Sequence, residues 1–338
     1  MTQQGRTGGA VMAPPVGTPA ARVGGGRRGP TMRQRENRAG LGLIAPTVTI
    51  VLAVVVLPIV WSVLLAFQKV RMLTLRSTGL SGEITVQNFA SVFREPGFVD
   101  SLVTTLAYAV FGTASSIALG LVAALALRRS FRGRAVLRAA MLLPYVAPVV
   151  AVTFVWETML SPQFGIVNVW GQRVLGWDQA IAFLSQRSHE ISILGITITL
   201  PMALLTVIAF EAWRSFPFAF LFLTARLQAT PDSLEEAALV DGATVSQRFR
   251  YIVLPQLLPT IAMLSVLRFI WTFNSFDEIY LLTGGGAGTE VISVRVFDFL
   301  TGRGDIGMAS AQALVLAVVL VVLVGLYIRR FGAREEES

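Results

Sequence analysis

The sequence predicts an all-α polytopic membrane protein with six transmembrane helices. Three observations carry this. Of 338 residues, 54% are apolar and only 14% charged, with mean hydropathy +0.66, whereas a soluble domain is about 25% charged. Several stretches run longer without a charge than the ~20 residues that span a bilayer. The basic residues fall mostly in alternate loops, as orientation of spans requires.

Residues 1–40 are rich in Gly, Pro and Arg and lack apolar periodicity, so they read as a disordered basic cytoplasmic tail. The remainder, 41–330, divides into spans at about 41–67, 101–127, 139–160, 191–225, 251–273 and 309–328, and 331–338 is a second short cytoplasmic tail. The first stretch is too long for a signal-peptide core and is expected to be retained. The third holds Pro144, Pro148 and Glu157. The fourth holds Glu211, Arg214 and Pro217, where a kink is expected. The longest outer segments are too short for an independent core, although they can hold short helices such as 86–93.

Six spans place both termini on one side. That side carries eighteen Lys and Arg in tails and loops against eight on the other, with two within spans. The bias assigns both termini to the cytoplasm. It also accounts for the net charge of +8 without nucleic acid. The absence of cysteine excludes disulfides and thiolate chemistry, and a lone histidine, His189, excludes His-rich metal sites. The only lysine is Lys69, so no Gly-Lys-Ser/Thr tripeptide exists and the chain carries no Walker-type ATP site.

The loop 231–255 contains two helix starts. Ser233-Leu-Glu-Glu236 and Thr244-Val-Ser-Gln247 both fit a capping box. Gly242 stands where a left-handed residue stops a helix. The first helix is therefore about eight residues with a small Ala237-Ala238 face, shaped as a docking peg or as a plain connector. Pro255 and Pro259 mark entry to the next span.

Glu236-Ala237-Ala238, Asp241-Gly242-Ala243, Leu254-Pro255 and Pro259 resemble the signature loop of permease subunits of binding-protein-dependent ABC importers. Glu211-Ala-Trp213, Phe216-Pro-Phe218, Leu143-Pro144, Pro148, Gly165, Asn168 and the stretch from Phe273 to Gly286 resemble the carbohydrate-uptake group, in its maltose-type first permease. The resemblance implies a bacterial or archaeal cytoplasmic membrane. It also implies a heterodimer with a second, homologous permease, and an extracytoplasmic solute-binding protein. Two ATP-binding subunits would carry ATP and Mg, this chain binding no cofactor. Glu236, Ala237, Ala238, Asp241, Gly242, Ala243 and Pro255 would form the ATPase-coupling loop. The solute would be a sugar or polyol. The competing class is a secondary transporter or channel working without ATPase subunits.

Charges at bilayer depth face a cavity or a partner. Glu211 and Arg214 share a helical face, and Arg268 lies well inside the fifth span. They are read as a translocation site or as an ion pair stapling two spans, one acid against two arginines. Ser215, Phe218, Trp271, Thr272 and Ser275 supply nearby hydroxyls and aromatic faces suited to sugars. Asp277, Glu278 and the Gly284–Gly286 run read as a flexible outer loop.

Overall fold

The computed structural model describes residues 32–74, 82–193, 196–229 and 231–331. The described residues fall into two compact units, divided between Pro58 and Ile59. In the first, α1 (Met32–Val51) passes through a π turn (Leu52–Val56) into α2 (Leu57–Ala66), within which the unit boundary falls. The uncharged helical run 42–66 is long enough to cross a bilayer.

The second unit continues with α3 (Gln87–Arg94), α4 (Phe98–Ala126), α5 (Arg134–Val146), α6 (Val149–Leu160) and α7 (Ile166–Val174). A hairpin follows, β1 (His189–Ile193) and β2 (Ile196–Leu200), and then α8 (Met202–Gln228) and α9 (Asp232–Val240). α10 (Val245–Arg248) runs through a π turn (Phe249–Val253) into α11 (Leu254–Phe273). α12 (Asp277–Thr283), α13 (Ile292–Phe297), a π turn (Asp298–Gly302) and α14 (Ile306–Phe331) complete it. Among the described residues, five continuous helices suit a membrane span by length and apolarity, and the pair α5–α6 makes a sixth if it is one broken span.

Two of the expected spans differ in form. The stretch 139–160 is not one straight helix: α5 and α6 meet at a 97° bend. Pro148 forces the preceding residue out of helical geometry, and Ala147 is extended at ψ 142°. The stretch 191–225 does not begin as helix. Residues 189–193 and 196–200 pair as antiparallel strands, with His189 opposite Leu200 and Ile193 opposite Ile196. Their Ile-x-Ile and Ile-Thr-Ile-Thr alternation has the period of a strand. Pro201 then opens α8.

One core cluster lies where α4, α8 and α11 cross. Ile117, Ala124, Phe220, Leu223, Leu257 and Leu264 are buried together there. α4 approaches α8 along a row of small residues, Gly112, Ser116, Gly120 and Ala124, spaced by four, which lets backbones come close in a bilayer. A Cβ on Gly120 would stand 2.6 Å from the Ala219 Cβ and 2.8 Å from the Phe220 backbone nitrogen.

Candidate functional site

α8 and α11 each contribute residues one helical turn apart to a single polar cluster. Glu211 and Ser215 come from α8, Arg268 and Thr272 from α11. Spacing of four puts each pair on one face. The Arg268 guanidinium donates to Glu211 in an ion pair whose side chains are 5% and 3% exposed. The same Glu211 oxygen accepts from the Thr272 hydroxyl at 3.0 Å and the Ser215 hydroxyl at 3.1 Å. Arg268 also reaches the Thr272 hydroxyl at 3.3 Å. Gly112 on α4 makes room, since a Cβ there would meet the Glu211 Cγ at 3.1 Å and the Thr272 Cγ2 at 3.2 Å.

Arg214 points to a different partner. It pairs with Glu278, which also accepts from the Ser275 hydroxyl. The reading of 277–286 as a flexible loop is corrected here. Asp277–Thr283 is a helix, α12, ended by Gly284 in the left-handed region at φ 60°, and Glu278 is buried on it. The count of one acid against two arginines is corrected with it: each arginine has its own carboxylate. The signal was present in sequence, because an Asp-Glu start favours the positive end of a helix and a Gly its stop.

These two pairs line one cavity of about 390 Å³, together with Ser215, Thr272, Ser275, Tyr145 and Trp271. Tyr145 comes from the end of α5, next to the break before Pro148. Arg268 lies over the Trp271 ring, 5.8 Å from its centroid. Phe218 stands behind this lining, its ring 5.1 Å from Trp271 and 6.0 Å from Tyr145. α8 continues through Pro217 as one helix. The cavity offers hydroxyls and charged groups already fixed by one another, flanked by two aromatic faces. The lining side chains named carry two positive and two negative charges, so they sum to zero. Glu157 is exposed on α6, away from this cluster.

The second feature is the loop after α8. α9 begins at Asp232, with Pro231 in the capping position and no side-chain cap. The capping box expected at Ser233 is therefore not formed; Pro231 presets the entry one turn-fraction earlier. The box at Thr244 is formed: the Gln247 amide donates to the Thr244 hydroxyl at 3.3 Å and the Gln247 side chain accepts from the Thr244 amide at 2.8 Å. Gly242 has φ 77°. Its amide donates to the Leu239 carbonyl at 3.1 Å, and the Ala243 amide to the Ala238 carbonyl at 2.9 Å. Those two bonds are a Schellman stop. Glu236 and Ala237 are exposed, as are the apolar side chains of Leu234, Leu239 and Val240, the last at 89%. Glu235 turns inward and pairs with Arg128, beyond the end of α4. That tether was not anticipated; nothing in the spacing of residues 128 and 235 announces it. Pro255 opens α11 at its second position.

Residues 116–334 match the family model described as binding-protein-dependent transport system inner membrane component. The chain is 32% identical over 283 residues to the inner membrane ABC transporter permease protein YcjO of Escherichia coli, covering 83% of this chain and 90% of that one. It is 31% identical over 300 residues to the trehalose/maltose transport system permease protein MalF of Thermococcus litoralis, covering 88% and 95%. Its fold matches that of a bacterial alginate ABC transporter, solved in complex with its alginate pentasaccharide-bound periplasmic protein. The TM-score is 0.72 over 87% of this chain and 94% of that one, at 22% identity. With the spans, the capped loop and these likenesses together, the chain belongs to the family of binding-protein-dependent transport system inner membrane components, the permeases of ABC importers.

Proposed function

We propose that this permease forms half of the import pathway for an uncharged sugar or related polyol, and that the solute passes the cavity between α8, α11 and α12. The observation that carries this is the lining: Glu211 with Arg268, and Glu278 with Arg214, present fixed donors and acceptors of zero net charge beside Tyr145 and Trp271. Hydroxyl-rich solutes need such fixed partners, and their C–H faces need aromatic ones. The names of the relatives, a trehalose/maltose permease among them, support the carbohydrate class.

A second, homologous permease completes the pathway. Two ATP-binding subunits receive α9, and an extracytoplasmic binding protein delivers the solute. Glu236, Ala237 and the exposed apolar residues of α9 are the contact with the ATP-binding subunits, with Ala238, Asp241, Gly242 and Ala243 setting its form and Pro255 its link to α11. Both termini lie in the cytoplasm, and the membrane is the cytoplasmic membrane of a bacterium or archaeon.

The test is reconstitution of the whole importer in proteoliposomes with its binding protein. Uptake of the bound sugar and solute-stimulated ATP hydrolysis are expected together. Uptake that persists without the ATP-binding subunits would refute the reading.

A further inference from the structure

A second cavity, of about 320 Å³, lies at the ends of the α4 and α8 helices, away from the polar cluster. Its lining includes Arg128, Arg134 and Arg138, the Thr224 hydroxyl and the apolar Ala124 and Leu227. Among the described lining residues none is acidic. Arg128 is held by Glu235. Arg134 and Arg138 have no carboxylate partner among the described residues, and the Arg138 guanidinium donates to the Leu127 carbonyl at 3.3 Å. The Nε atoms of Arg134 and Arg138 and the Thr224 hydroxyl are buried with no hydrogen-bond partner.

Orienting a span requires only basic residues on the right side of the membrane. It does not require two guanidinium groups without a carboxylate, and a hydroxyl, to converge on a void with both Nε donors and the hydroxyl unused. A buried donor left unmade costs free energy, and two guanidinium charges with no carboxylate beside them favour a partner that is anionic, small and rich in acceptors. A phosphate oxyanion meets all three conditions, since the guanidinium fork matches its oxygens two at a time. The apolar floor made by Ala124 and Leu227 lies on the last turns of two helices long and apolar enough to span a bilayer, next to where lipid headgroups would begin.

We propose that this cavity binds a phosphate group, carried by an anionic phospholipid of the adjoining leaflet or by a soluble phosphate. The inference uses the assignment of this face to the cytoplasmic side only to say which leaflet supplies the lipid.

The experiment uses the complete importer in nanodiscs of mixed phosphatidylcholine and phosphatidylglycerol, with native mass spectrometry reading the lipid retained. Arg134→Gln with Arg138→Gln should weaken phosphatidylglycerol retention by about thirty-fold, from the usual contribution of each basic residue at an anionic surface. The control removes the same charge at two exposed arginines of the same face, Arg132→Gln with Arg250→Gln, and should leave retention unchanged. A parallel arm titrates inorganic phosphate against chloride in pure phosphatidylcholine nanodiscs and reads the thermal midpoint. An arginine-dependent rise there, without lipid retention, assigns the site to a soluble phosphate. Equal loss in both double variants, or no effect in either arm, overturns the proposal. Loss of the ATP-binding subunits with lipid retention intact also overturns it and gives these arginines to a protein contact. Sidedness is read separately, because the chain has no cysteine of its own: Ser130→Cys labelled only from outside would refute the topology and leave the phosphate result standing.

Discussion

Glu211 and Arg268 lie 57 residues apart in sequence and meet as a buried ion pair across α8 and α11, with the Thr272 and Ser215 hydroxyls donating to the same carboxylate oxygen. Removing one member strands the other. Arg268→Leu should therefore destabilise the protein by about 3–5 kcal/mol, whereas Glu211→Leu with Arg268→Leu should recover most of that loss. Thermal unfolding of the purified importer checks the stability half. Uptake checks the functional half: the double variant should fold yet transport poorly, because the cavity has lost two of its fixed polar groups. Full transport by the double variant would reduce the pair to a staple between helices.

Gly120 should tolerate nothing larger. A Cβ at this position meets Ala219 and the Phe220 backbone at distances that real side chains do not show, so Gly120→Ala must push α4 from α8. Overpacking of this kind typically costs about 1–3 kcal/mol. Gly325, on α14, has nothing within 4 Å of an added Cβ. Gly325→Ala should be neutral or stabilising by up to about 1 kcal/mol, from helix propensity alone. Thermal midpoints that fail to separate the two substitutions would disprove the close α4–α8 approach.

Gly242 makes the opposite argument. Nothing crowds its Cβ position, and its φ of 77° alone demands glycine. Gly242→Val should strain the Schellman stop by about 1–2 kcal/mol, while Gly242→Asn should be tolerated better. With the peg tilted, solute-stimulated ATP hydrolysis should fall although membrane insertion persists. Ala237→Trp should do the same by blocking close approach on the exposed face of α9. Unchanged stimulation in both Gly242→Val and Ala237→Trp would remove α9 from the coupling path.

The sequence made the spans and the Gly242 stop legible because each is written locally, in uncharged runs and in one capping pattern. It also marked Glu211, Arg214 and Arg268, since a charge in an apolar helix is conspicuous by itself. What it did not make legible was pairing. Arg214 and Glu278 meet because α12 folds back onto α8, and Arg128 and Glu235 meet because α9 folds under α4; both are consequences of tertiary packing, with no local period to reveal them. The hairpin at 189–200 was misread for a different reason. Its Ile and Thr content is apolar enough to extend a span, and length arithmetic outweighed the alternation. The bend at Ala147 was signalled by Pro148, but a proline alone does not give the angle.

The topology follows the same separation of local from tertiary signals. Ser130 lies in the basic loop after α4 and Ser185 in the segment before β1. In a chain without cysteine, Ser130→Cys should react with an impermeant thiol reagent only from the cytoplasmic face. Ser185→Cys should react only from the outer face. Reversed labelling would invert the assignment of both termini.

Glu278 decides what kind of solute the cavity suits. With both carboxylates present the named charges of the lining cancel, so a neutral solute enters without leaving a charge uncompensated, and an anionic one must compete with Glu211 or Glu278 for its arginine. Glu278→Gln preserves shape but keeps one acceptor oxygen where the carboxylate offered separate ones to Arg214 and the Ser275 hydroxyl, and it leaves the Arg214 charge unbalanced at a site where charge is costly. Import of a neutral oligosaccharide should fall, by roughly the ten-fold to hundred-fold that loss of a charge-assisted hydrogen bond of about 1.5–3 kcal/mol permits. A uronate-bearing analogue of the same length, excluded by the native pair, should become a better competitor in the variant than in the native protein. Competition uptake assays with the two sugars read both effects at once. Preference of the native importer for the uronate over its neutral counterpart would refute the balanced-cavity reading, because two satisfied ion pairs offer an anion no free positive charge.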